Sequence, residues 1–70
     1  MSNASSPPGI SWEMLAERPD IVTIRNFMVR MHHRFQIELT ECIADVREIT
    51  RFDRADIEAA ISLVKWEHGL

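Results

Sequence analysis

The chain has one cysteine, Cys42, one lysine, Lys65, and no tyrosine. A single cysteine excludes an internal disulfide, and a lone thiol fits a reducing compartment, so a cytosolic location is expected. Residues 1–9 carry neither the basic start nor the apolar stretch of a secretory signal. No window comes near the roughly 18 apolar residues of a membrane span, so no membrane association is expected. Glycine is confined to Gly9 and Gly69, at opposite ends of the sequence. That distribution excludes a Gly-rich phosphate loop. Cations are also scarce: eight Lys and Arg stand against eleven Asp and Glu, for a formal charge of −3. Such a balance disfavours general nucleic-acid affinity, which depends on Lys and Arg displacing counterions from phosphates.

What is present is helical pattern. At 70 residues the chain is one domain at most, and a single core of that size supplies only a few kcal/mol of net stability. Residues 1–9 are small, polar and broken by Pro and Gly, and are read as a disordered tail before one α-helical domain over 10–70. Ser11 is placed as an N-cap, with Ile10 and Leu15 spaced as a hydrophobic staple, opening a short helix over about 11–17 that stops before Pro19. Pro19 then suits the first turn of the next helix, and Asp20 puts negative charge where the helix dipole favours it.

From Asp20 to His68 there is no glycine or proline. At 100° per residue, Ile21, Ile24, Met28, Met31, Phe35, Leu39, Cys42, Val46 and Ile49 fall on one stripe, which predicts one long amphipathic helix over about 20–50. The spacing is heptad-like, with one four-residue stutter from Phe35 to Leu39. A break near Thr40, giving a three-helix unit, is the alternative. Asp53 is the next N-cap, with Asp56 at the capping-box position, and a second helix is expected over about 54–68. Gly69 is placed as its left-handed terminator, with Leu70 able to fold back on Val64. The fold class expected is therefore all-α: an antiparallel helical hairpin with a short N-terminal helix.

A helix over 20–50 would be roughly 45 Å long, and a second helix of about half that length cannot cover it. The uncovered stripe predicts a homodimer, with Ile24, Met28, Met31, Phe35, Leu39, Cys42 and Val46 at the interface. Charge along the long helix is segregated, Arg25, Arg30 and Arg34 before Glu38, Glu41, Asp45 and Glu48. An antiparallel four-helix assembly places these unlike halves side by side, unless the charges only solvate a surface.

Chemistry-bearing constellations are few. His32 and His33 are adjacent, hence about 100° apart on a helix, and do not converge as metal ligands. His68, in a last turn, suits a helix-dipole partner. Cys42 lies on the apolar stripe without a Lys or His to activate it. No triad spacing is evident. No catalytic residue, metal or cofactor is therefore expected.

The second helix carries two apolar stripes. Ile57, Ala60, Ile61 and Val64 make the face expected to pack on the long helix. Ala55, Ala59, Leu63 and Trp66 recur nearly opposite, where they would either receive the Ile10–Leu15 segment or a dimer mate, or form a docking groove with Trp66 and Trp12 as anchors. The leading expectation is a non-enzymatic protein–protein interaction module that acts as an adaptor, accessory subunit or regulator by binding a further protein. Two other classes stand behind it. One is a small dimeric DNA-binding regulator, using Val22–Arg25 as a strand or the helices around 41–49 and 54–66 as a helix-turn-helix. The other is a small helical enzyme with an inter-subunit site built from Arg25, Arg30 and Arg34.

Overall fold

A computed structural model describes residues 9–70. Most of the expected N-terminal tail, residues 1–8, lies outside the described residues. Four helices follow in order, α1 Trp12–Glu17, α2 Pro19–Phe35, α3 Leu39–Val46 and α4 Arg54–Glu67, and no strand occurs among the described residues.

Local chemistry explains where most of these helices start and stop. Ser11 caps α1, its Oγ accepting from the Met14 amide at 3.1 Å. Ile10 is buried and Leu15 half-buried against the same core, as a staple requires. Pro19 opens α2, where its missing N–H has no helical partner to lose. At the far end, Gly69 is left-handed at φ 72°. The Leu70 amide donates to the Lys65 carbonyl at 2.8 Å and the Gly69 amide to Trp66 at 3.4 Å, which together form a Schellman cap. Leu70 itself stays exposed and does not fold back over the buried Val64.

The single long helix over 20–50 is not formed. α2 ends at Phe35, Gln36 takes a left-handed conformation at φ 59° and ψ 30°, and α3 begins again at Leu39. The break falls at the stutter in the apolar pattern, a little before the Thr40 alternative. A left-handed non-glycine residue costs roughly 1–2 kcal/mol. Folding back brings Cys42, Ile43 and Val46 onto the common core, and burying each aliphatic side chain is worth about 1.5–3 kcal/mol. Burial wins, because in a straight helix α3 could not return against its own α2, and α4 would fall short of Ile21, Ile24 and Met28.

The expected antiparallel hairpin does not form either, for the same reason. Arg18, at the head of α2, bonds Asp56 near the head of α4; further along, Arg25 meets Glu67, and the His32 ring lies 6.0 Å from that of His68. These contacts advance in the same direction along both helices, so α2 and α4 run parallel, with α3 as the return stroke between them. The core is drawn from all three: Ile21, Ile24 and Met28 of α2, Cys42, Ile43 and Val46 of α3, and Ile57, Ala60, Ile61, Leu63 and Val64 of α4. The body measures 35 × 25 × 16 Å.

Three arginine–carboxylate links lock this arrangement at its edges. Arg18, at the α1–α2 junction, reaches Asp56 through Nε and Asp53 through Nη2 at 3.1 Å. Asp53 starts α4 as expected, yet its side chain makes no cap hydrogen bond. Both carboxylates are thus turned to Arg18 instead of closing a capping box. The Asp56 bond and charge raise the pKa of Arg18 further. Arg47 grips Glu58 through Nε and Nη2 at 3.1 and 3.2 Å, tying the end of α3 to α4. Arg25 does the same with Glu67 at 2.8 and 3.1 Å, joining α2 to α4.

Candidate functional site

The two apolar stripes of α4 meet different fates. Ile57, Ala60, Ile61 and Val64 are buried against the rest of the core, as their spacing required. On the second stripe, Ala55 is exposed, Ala59 half-buried and Leu63 only 7% exposed, while Trp66 keeps 41% of its surface open. Leu63 shares a groove with Ile10, Trp12 and Leu15, so the N-terminal segment does come to this stripe. It does not close over it.

What remains is a groove of about 190 Å³. Ile10, Ser11, Trp12 and Leu15 form one wall, Val22, Arg25 and Asn26 of α2 line its side, and Leu63, Trp66 and Glu67 of α4 complete it. Its surface is mostly apolar. Trp12 stands at the rim with 66% of its surface exposed. Sites for drug-sized molecules run from about 300 to 1,000 Å³. This one has room for one or two inserted side chains. The Arg25–Glu67 fork sits at its edge, and Arg25 Nη1 also donates to Asn26 Oδ1 at 2.8 Å. Of the five residues expected to bind a partner, Trp12, Leu63 and Trp66 line this groove and Ala55 and Ala59 do not.

The residues expected at a dimer interface divide as well. Ile24, Met28, Cys42 and Val46 are already buried within the chain, so they offer no surface to a second copy of this folded form. Met31 and Leu39 are half-buried, and Phe35 is 60% exposed beside the break.

Other candidate groups are engaged structurally. The Cys42 thiol is buried, and desolvation, followed by the charges of Asp45 and Glu41, pushes its pKa up. That is the opposite of what activates a nucleophile. His32 and His68 come together although they lie on different helices, a proximity that sequence spacing could not reveal. Each holds a main-chain carbonyl through Nδ1, His32 that of Ile37 at 2.7 Å and His68 that of Val64 at 2.9 Å. His68 thereby serves the C-terminal end of α4. Among the described residues no group of three or more His, Cys, Asp or Glu is placed to hold a metal ion. No helix among them is long and apolar enough to cross a membrane.

The alternatives lose some of their structural footing. Val22–Arg25, which a ribbon-type DNA binder would use as a strand, is helical. Arg25 is held by Glu67 while Arg30 and Arg34 stand exposed further along α2, so the three do not form one anion strip. Comparison with protein-family models, with curated proteins and with solved structures finds no match.

Proposed function

We propose that this chain is a non-enzymatic protein–protein interaction module of the cytosol, which seats apolar side chains of another protein's amphipathic helix in the groove between α1, α2 and α4. The observation that carries this reading is the pairing of two partly open tryptophans, Trp12 and Trp66, across one small apolar groove with a charged fork at its rim. Tryptophan and arginine are enriched among residues that dominate binding energy, and the best of these lie in pockets ringed by polar groups. The volume favours anchors from a peptide over a whole small molecule. A helical ligand fits because anchors at i, i+3 or i+4, and i+7 present one apolar edge to such a groove.

Self-association belongs to the same reading. Phe35 is apolar and exposed at the end of α2, one helical turn beyond half-buried Met31, a surface that a second copy would cover.

A displayed library of helical peptides tests the docking reading even though the natural partner is unidentified. Selection on the immobilised protein is expected to enrich peptides with apolar residues at helical spacing, whose binding falls at least tenfold on Trp12→Ser with helicity retained. No enrichment, or peptides that bind Trp12→Ser equally well, contradicts it.

A further inference from the structure

We propose that two copies of this chain exchange α3 and α4 by straightening the break at 36–38, so that each groove is walled by α1 and α2 of one copy and α4 of the other. This deepens the self-association reading above and rests on it. The first observation is the sequence across the break. The apolar stripe continues through it in helical phase, from Met31 and Phe35 to Leu39, Cys42 and Val46. The break contains no glycine or proline, and every residue in it is compatible with helix.

The second observation is the geometry of the hinge. Gln36 is a non-glycine residue held at φ 59°, a conformation L-residues avoid. Few specific bonds hold it there. His32 Nδ1 reaches the Ile37 carbonyl at 2.7 Å, the Cys42 thiol donates to the same carbonyl at 3.9 Å, and Gln36 Nε2 donates to the His33 carbonyl at 3.2 Å. A short strained hinge between two packed units is the usual route to exchange, because the contacts between those units can be re-formed with a second copy.

Straightening joins α2 and α3 into one helix. α3 packs beside α2 as the return stroke, so a copy that supplies α3 to its mate lays its own α2 antiparallel to the mate's α2. The interfaces of α2 with α3 and α4 are then rebuilt between copies, Arg25 with Glu67 included. Phe35 joins a continuous apolar edge with Met31 and Leu39. Of the packed residues only half-buried Ile37 is turned away from the core, and the left-handed residue is relieved in both copies.

Two variants separate the bent and straight forms. Glu38 has φ −63° and ψ 145°, a backbone that proline shares, so Glu38→Pro fits the bent form. In a continuous helix it removes a hydrogen bond and clashes with the preceding turn. Gln36→Gly favours the left-handed hinge and disfavours helix, by about tenfold per hinge and on the order of a hundredfold for a dimer with two. Light scattering after size exclusion, over a hundredfold concentration range and with helicity checked by circular dichroism, should show a wild-type dimer. Glu38→Pro should be monomeric, and Gln36→Gly should dimerise about a hundredfold more weakly.

A charge exchange identifies the groove contact. Arg25→Glu and Glu67→Arg each place like charges within one chain, but when the two variants are mixed, an exchanged heterodimer sets opposite charges at both groove rims. Native mass spectrometry of the equimolar mixture should show heterodimer above the half expected from random pairing. A wild-type dimer that ignores both hinge variants and pairs at random overturns exchange while leaving self-association standing. A wild-type monomer at every concentration overturns both.

Discussion

Asp56 is a carboxylate at 4% exposure, and its hydrogen-bond partner is Arg18, a side chain that still reaches solvent. The two ends of this pair are therefore unequal. Arg18→Ala strands a buried charge with nothing to replace the guanidinium. Asp56→Asn leaves Arg18 beside the exposed Asp53 and puts a neutral amide in the buried position. Urea unfolding should show Arg18→Ala as clearly the more destabilising of the two, and equal losses would mean that Asp56 is hydrated in the native state. The Cys42 thiol makes a second prediction at this scale. Buried and with its pKa raised, it should react with a thiol reagent at least about an order of magnitude more slowly in the native protein than in denaturant. Equal rates would show that α3 opens freely. The Arg18 network illustrates what sequence order conceals. Asp53 and Asp56 read as capping residues because the helix start is local information, whereas Arg18 is distant in sequence and becomes their partner only once α2 and α4 lie parallel.

Among the elements, α3 is held at its end by the Arg47–Glu58 fork. The hydrogen bond from Arg47 holds the Glu58 carboxyl below its ordinary value of 4.5. Across that range the native state binds fewer protons than the unfolded chain, so this contribution is present above about 4.5 and is lost as pH falls through the depressed native value. Arg47→Gln should flatten the acid limb of a melting-temperature profile while changing little near neutrality beyond a uniform offset. An unchanged acid limb would remove the fork from the account. Much of the element structure is legible in the sequence. Ser11, Pro19, Asp53 and Gly69 mark helix ends where the structure has them, and the buried face of α4 follows its spacing. The break at 36–38 is harder to read, because the stripe runs through it and no glycine marks it. Besides the stutter from Phe35 to Leu39, Ile37 carries a sign of it: it is half-buried in the structure, yet a continuous helix would turn it to the face opposite the stripe.

At the scale of the whole molecule, breaking the long helix changes which surfaces are left over. A hairpin would have exposed most of the stripe along α2 and α3. Three strokes bury Ile24, Met28, Cys42 and Val46 internally and leave apolar surface at the α1–α4 groove, around Phe35, and at Phe27 and Leu70. Trp12 and Trp66 stand out in the sequence because the second stripe of α4 is more apolar surface than a hairpin can cover. That α1 walls the groove without sealing it is not legible there, since the placement depends on the direction of α4 relative to α2. In the proposed function, this open groove binds another protein. The most direct measurement is a paired affinity capture from cells that make the protein, comparing wild type, Trp12→Ser and the surface control Arg30→Ala at matched levels. Recovery of a defined partner with wild type and Arg30→Ala, but not with Trp12→Ser, is the predicted result. Equal recovery with all three, or no partner with any, would contradict it.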